Sequence, residues 1–374
     1  MVANNNNISI LQKNLFTVIL LLTAFGTVVM YSASSIMSQN NFDSNTHFLY
    51  RHLIWLLIGF ILAVVSYVIP INGIKKYSKF ILLLGVIIII AGIILNPTSD
   101  ASRWIIYKNS AKQITTSDFG RLALIIYTAR FLDKYEKKIN DFKNVLFPFL
   151  VTIGILLLAI ISQPDFSTTV VLSCILFLML FIGGVNLNYL GGIILVTIPL
   201  GIYKIFTNPY MRKRLLGFIN NDADNSALNT VNDQVSIAIM SMGSAGIFGR
   251  GLGDGLLKKG FLPEVQTDFV FSVIGEEFGL ISEFIVLFAF FYLFLKGLKL
   301  AQKAPDLFSM FLVLGISINF IIYTIINVAY VVKLLPTTGL ALPFISYGGT
   351  HTMVNFIMVG LLFNVSREIE KHGF

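Results

Sequence analysis

"FILLLGVIIIIAGIIL", residues 80–95, decides which solvent this chain folds in. The run carries no charge, and "FIVLFAFFYLFL" at residues 284–295 repeats the pattern. About 20 apolar residues cross a hydrocarbon layer, and runs like these cannot all be hidden in one soluble core. The rest of the chain agrees. Of its 374 residues, 56% are hydrophobic and 12% charged, where soluble domains carry about 25% charged residues. The composition implies an all-α polytopic membrane protein.

Working outward, about ten spans are expected, near 15–36, 51–70, 78–96, 118–133, 145–163, 168–185, 189–206, 268–296, 307–332 and 350–366. They form one integral membrane domain over residues 1–374. The polar start "MVANNNNISILQKN" precedes the first apolar run. It carries only Lys13 as a positive n-region, so an uncleaved first helix is favoured over a signal peptide. An even number of spans puts both termini on one side. Short loops on that side hold Lys13, Lys75, Lys76, Lys79, Arg130, Lys134, Lys137, Lys138 and Lys143, then Lys296, Lys299, Lys303, Arg367 and Lys371. Basic short loops face the cytoplasm, so both termini are expected there. The 97–117 loop and the long 206–267 loop then face outward. No internal repeat is visible, which weighs against an inverted-repeat transporter.

Several chemistries are excluded early. Cys174 is the only cysteine, so no disulfide forms within the chain. Four histidines lack zinc spacing. The net charge of +8 reads as orientation signal and anionic-lipid contact rather than nucleic-acid binding. "GRGLGDG" at 249–255 does not match a nucleotide loop, because its glycines alternate. Flexible backbone near a membrane surface is the expected role, and the apolar part of this loop suggests a re-entrant or interfacial segment.

The charged residues that remain cluster toward the outward end. "FLPEVQTDFVFSVIGEEFG" at 261–279 places Asp268 at a helix start, with Thr267 as a cap. Glu276 and Glu277 lie about two turns deeper, so neither pairs closely with Asp268. They are expected to pack helices, through Arg121 or another buried cation. "MRKRL" at 211–215 supplies Arg212, Lys213 and Arg214. Arg250, Lys258 and Lys259 lie in the same loop, and Arg51 sits near an outer helix end. One carboxylate among many cations suits glycosyl transfer from a lipid pyrophosphate. Such a reaction needs a base for the attacking sugar hydroxyl. Its leaving group needs cations or a metal. "LLPTTGLALPFISYGGT" at 334–350 is broken by Pro and Gly, and non-helical backbone at membrane depth must line a cavity or be buried in protein.

Taken together these motifs resemble the SEDS family (shape, elongation, division and sporulation), the FtsW and RodA proteins. The likeness rests on "FLPEVQTDFVFSVIGEEFG", "LPTTGLALPFISYGG", "QPDFSTTVVL" at 163–172, "NPYMRKRLLGF" at 208–218 and "YRHLIWLLIG" at 50–59. The resemblance implies a ten-helix glycosyltransferase that polymerises lipid II into undecaprenyl-pyrophosphate-linked glycan. The work is expected at the outer face of the bacterial cytoplasmic membrane, with a class B penicillin-binding protein and other division or elongation proteins as partners. It places the catalytic aspartate on Asp268, and its motifs add Glu264 and Ser346 to the substrate-binding candidates. "GEE" and "LPTTGL" lean toward the division subfamily, FtsW. The usual QPSE-type motif is replaced here by "TTSDFGRLAL" at 115–124. Asp118 stands for Glu and Arg121 for Lys, so both are candidates whose roles follow less directly. Asp268 is also the residue that would hold a divalent cation, Mg2+ or Mn2+, and no organic cofactor is expected. The competing readings are a flippase for lipid-linked precursors and a non-catalytic scaffold of the division complex. A flippase needs a polar route to both faces, whereas these charges gather at one.

Overall fold

Each long apolar run becomes a helix in a computed structural model that describes residues 2–95, 104–106, 113–163, 165–219, 229–259, 262 and 265–372. The helices are α1 (Val2–Phe42), α2 (His47–Val68), α3 (Ile71–Leu95), α4 (Thr116–Tyr135), α5 (Phe147–Ser162), α6 (Phe166–Ile182), α7 (Leu187–Thr207), α8 (Pro209–Ile219), α9 (Asn229–Ala245), α10 (Val270–Gln302), α11 (Leu307–Val331) and α12 (Gly349–His372). Ten of them fall on the expected spans. The other two, α8 and α9, lie in the 206–267 segment that the sequence presents as a loop.

Among the described residues, eight helices are long and apolar enough to cross a membrane, and α6 is apolar but shorter. The exception is α4, which carries Asp118, Arg121, Arg130, Asp133 and Lys134. Protein rather than lipid surrounds the first two, while Arg130, Asp133 and Lys134 lie in its last two turns. It packs on α3, α6 and α11, and Asp118 and Arg121 are buried. A helix enclosed by neighbours needs no lipophilic surface.

Local chemistry sets the helix ends. Asp165 accepts the Thr168 N–H at 3.3 Å to start α6, and Asp306 accepts the Ser309 N–H at 3.1 Å to start α11. Ahead of α5, a π-helical turn over Phe142–Leu146 is capped by Asp141. The Asn144 side-chain amide and its backbone N–H hold the Asp141 carboxyl below the usual carboxylate range. A short antiparallel hairpin, β1 (Trp104–Ile106) and β2 (Gln113–Thr115), closes the end of the bundle between α3 and α4. It is tied to the start of α12 by the Thr115 N–H, which donates to Thr350 Oγ1 at 3.1 Å.

One break in a helix shapes everything above it. Gly279 interrupts α10 with φ 81° and ψ 178°. The membrane span is therefore Leu280–Gln302, and Val270–Phe278 is a separate short helix. Breaking a helix frees backbone groups, which must be satisfied where water is scarce. The segment after α9 does this. Arg250 and Gly251 donate their N–H groups to the carbonyls of Glu276 (2.9 Å) and Glu277 (3.0 Å), and Leu280 donates to Gly246 O at 3.3 Å. Backbone approaches backbone so closely that a Cβ on Gly249 would collide with the Glu277 carbonyl, and one on Gly279 with that of Ile247. "GRGLGDG" is thus not flexible coil, as the sequence suggested. Gly249, Gly251 and Gly253 all take positive φ, and the loop is stitched to the kink. The start of α10 also differs from expectation. It begins at Val270 with Phe269 at its cap position and no side-chain cap, which leaves Asp268 in the turn before the helix.

Candidate active site around Asp268

Asp268 is held in place through its backbone carbonyl. Its carbonyl oxygen accepts from Asn327 Nδ2 at 3.2 Å and from the Tyr330 hydroxyl. The two donors sit one turn apart on α11. Asn327 Nδ2 also reaches Leu340 O at 2.6 Å, and the Phe269 ring packs edge-on against Tyr330 at 5.7 Å. One face of α11 therefore clamps the Asp268 turn and the Pro/Gly-broken 336–343 segment together.

That segment presses on the carboxylate. At Gly339, φ is +68°, and a Cβ there would lie 3.2 Å from Asp268 Oδ2 and 4.0 Å from Arg214 Nη2. Arg214, on α8, donates from Nη1 to Thr337 O at 3.1 Å. Three motifs far apart in sequence thus meet at one point: the basic helix, the turn before α10 and the Thr337–Gly339 strip. Asp268 and Arg214 are both half-buried. Tyr347 N–H donates to Gln266 O at 2.9 Å, which ties the far end of the strip to the same turn. Ser346 supports the segment from within. Its Oγ accepts the Leu342 N–H at 2.8 Å, its own N–H donates to Leu342 O at 3.0 Å, and it is buried.

The other candidates separate. Arg212 is exposed on α8, and Arg51 is half-buried near the start of α2. Arg250 is exposed and donates to Ser244 Oγ at 2.7 Å; its backbone lies at the level of Glu276. Lys258, grouped with the phosphate binders on sequence, is placed differently. It is buried, with Nζ 2.9 Å from Glu277 Oε1 and 3.0 Å from Ser32 Oγ, and Ser32 donates to the same oxygen at 2.7 Å. Its charge compensates Glu277, so Lys258 is the buried cation that serves the deeper glutamates, and Arg121 is not. Glu276 accepts the N–H groups of Leu256 (2.6 Å) and Leu257 (3.1 Å). The two glutamates therefore fasten the loop to α10. Lys213 and Lys259 lie on helical turns, but their side chains are outside the described residues, as is Glu264.

Asp118 and Arg121 belong to a second, enclosed cluster. Asp118 Oδ1 lies 3.1 Å from Arg121 Nη2 and 3.2 Å from His351 Nδ1. Arg121 also donates to Asn355 Oδ1 at 2.9 Å, and its guanidinium sits 4.6 Å from the Tyr323 ring centre. Beside it, Ser117 donates to Asp165 at 2.9 Å and Thr116 to Gln163 at 2.8 Å. The "QPD" and "TTSD" motifs are thus partners. Arg121 Nε and Nη1, His351 Nε2 and Asn355 Nδ2 are buried without a hydrogen-bond partner among the described residues. Buried donors of this kind call for a partner such as water or a ligand. His351, Tyr323, Asn327, Tyr330 and Asn355 were not singled out on sequence. The available signal was polar residues spaced three or four apart on otherwise apolar helices.

Among the described residues, no group of three or more His, Cys, Asp or Glu side chains is arranged to hold a metal ion. Near Arg214 the described donor set supplies one carboxylate, Asp268.

These features define a multi-pass helical membrane protein with a charged site built at one end of its bundle. Residues 12–371 match the cell cycle protein family of FtsW, RodA and SpoVE, and the chain belongs to that family. A protein named probable peptidoglycan glycosyltransferase FtsW, from Trichlorobacter lovleyi, is 35% identical over 357 residues, covering 94% of this chain and 92% of that one. Stage V sporulation protein E of Bacillus subtilis is 32% identical over 357 residues, with 94% and 96% covered. A chain of a solved peptidoglycan synthase complex, described for its coordination of polymerization and crosslinking, shares the fold. The TM-score is 0.74 at 20% identity, over 95% of this chain and 97% of that one.

Proposed function

We propose that this chain is a peptidoglycan glycosyltransferase that polymerises lipid II, with Asp268 as general base. The observation that carries the reading is the convergence of Asp268 and Arg214 on one point beneath Gly339. An attacking sugar hydroxyl gives its proton to the Asp268 carboxylate as its oxygen bonds to the anomeric carbon of the lipid-linked chain. The bond from that carbon to the pyrophosphate breaks, and the electron pair leaves with the phosphate oxygen. Arg214 opposes the charge that develops there, through a planar fork suited to phosphate. The site's position follows from the substrate: sugars lie in water and the tail in the bilayer.

A divalent cation, Mg2+ or Mn2+, is the second role open to Asp268, since such ions are commonly held by one or two carboxylates plus substrate phosphates. Arg214 already places a cation beside Asp268, which favours the base. Orientation follows the basic short loops: termini in the cytoplasm, Asp268 at the outer face of the cytoplasmic membrane. A class B penicillin-binding protein that crosslinks the product is the expected partner. Identity to FtsW relatives favours a division role.

A flippase fits less well. Between the Asp118–Arg121 cluster and the ionic groups at the other end, α4 runs through Ala123, Leu124, Ile125 and Ile126, all buried. That stretch of α4 carries no ionisable group for such a route.

The test is polymerisation of lipid II by the purified full-length protein, alone and with its penicillin-binding protein. Glycan strands are expected. Their absence in both, with transport of lipid II across vesicles, would replace the reading with the flippase; absence of both activities would leave a scaffold.

A further inference from the structure

The end of the bundle opposite Asp268 holds a pocket that glycosyl transfer does not use. It is an open groove of about 290 Å3 between the first turns of α3 and the last turns of α4, lined by Asn72, Lys75, Lys76, Arg130, Asp133 and Lys134. Its walls are fixed. Lys75 Nζ lies 2.9 Å from Asp133 Oδ2 and 3.5 Å from Asp306 Oδ2. Arg130 Nη1 donates to the carbonyls of Lys75 and Lys76, both at 2.6 Å, and to Ser78 Oγ at 3.2 Å. Against the two aspartates stand four cations, Lys75, Lys76, Arg130 and Lys134, which leaves a net excess of two positive charges.

Lys76 and Lys134 are exposed at the mouth. Each ammonium sits over a neighbouring tyrosine, Tyr77 at 5.6 Å and Tyr135 at 4.9 Å from the ring centres. The positive, N-terminal end of α3 opens beside them at Asn72. Further along α3 the surface turns apolar, with Phe80 61% and Leu83 55% exposed. Charge at the helix end and exposed apolar surface just beyond it is the profile of a head group with its chains.

We propose that this pocket binds the phosphate of an anionic phospholipid, phosphatidylglycerol or cardiolipin, with the acyl chains along the exposed face of α3. Basic pockets between transmembrane helices take such head groups. The apolar strip selects lipid over free phosphate, which would gain nothing from it.

The experiment is native mass spectrometry of the full-length protein in neutral detergent, titrated with phosphatidylglycerol, cardiolipin or phosphatidylcholine of matched chains. The anionic lipids are expected to bind more tightly. Lys76→Ala with Lys134→Ala should weaken them by about 10–30-fold, the effect of losing two lysines at head-group level. Lys76→Arg with Lys134→Arg, which keeps the charge, should retain them. Lys296→Ala with Lys299→Ala removes equal charge from the same end and should change affinity less than about twofold. Equal binding of phosphatidylcholine would overturn the proposal. So would equal loss from the two alanine pairs, loss in the arginine pair, or displacement of the lipid by millimolar inorganic phosphate, which would make the pocket a free-anion site.

Discussion

Asp268 and Glu277 stand nine positions apart in one stretch of sequence and end in opposite environments. Glu277 is fully buried, and its Oε1 is matched by Lys258 and Ser32. Asp268 is half-buried, its backbone carbonyl held by α11 and its carboxylate turned to the strip at Gly339 near Arg214. The break at Gly279 and the turn before Val270 bracket the short helix that separates them. A carboxylate with its cation locked inside the fold stabilises structure. One that is half-buried in a turn, with an arginine close to the same glycine, is the one we propose to act on substrate.

The sharpest way to break this contrast is to remove Lys258. Lys258→Ala leaves Glu277 buried and uncompensated, and should cost about 3–5 kcal/mol of stability. Thermal unfolding in detergent measures it. Lys258→Met with Glu277→Leu should recover most of the loss, because removing both charges removes the penalty. A single mutant as stable as wild type would mean that the pair is hydrated. Next in size is Ser346→Ala, which leaves the buried Leu342 N–H without its acceptor. It should cost about 1–3 kcal/mol, again read by unfolding, with turnover at permissive temperature little changed. A large fall in turnover with unchanged stability would instead move Ser346 into substrate binding. Arg214→Lys keeps the charge but loses the fork. Turnover should fall about tenfold, equivalent to about 1.4 kcal/mol, with unfolding unmoved. Arg212→Ala, on the exposed side of α8, should do less than Arg214→Lys. The reverse order would relocate the phosphate contact.

Much of the fold is legible because hydrocarbon imposes a harsh rule on the chain. Long uncharged runs such as 80–95 have one stable form in a bilayer. Even α4 was readable as a helix despite Asp118 and Arg121, although its charges keep it from the set that is apolar enough to cross a membrane. The elements that escaped notice do not answer to that rule. The helices α8 and α9 are short and mixed in composition. The break at Gly279 is a single glycine inside an apolar run, and its φ is set by the Gly246–Gly251 backbone lying against it. Asp268 is singled out by motif resemblance alone. Its meeting with Arg214 was not legible, because it depends on how Gly339 and α8 fold over the turn. Lys258 was misplaced for the same reason: in sequence it is one cation in a basic loop, and only packing against Ser32 and Glu277 shows where its charge goes.

On the proposed reading Asp268 acts on the substrate while Glu277 acts on the fold. The most direct test measures lipid II polymerisation and thermal unfolding on the same preparations of Asp268→Asn and Glu277→Gln. Asp268→Asn should lose about 10²–10⁴-fold in turnover, the range for a general base, with its unfolding midpoint unchanged. Repeating the assay on Asp268→Glu across Mg2+ and Mn2+ concentrations separates base from metal holder, since only the latter shifts the metal dependence. Glu277→Gln should unfold at lower temperature, and at permissive temperature should keep far more activity than Asp268→Asn. Near wild-type polymerisation by a folded Asp268→Asn protein would contradict the account, and would leave Asp268 as a charge that serves only the turn before α10.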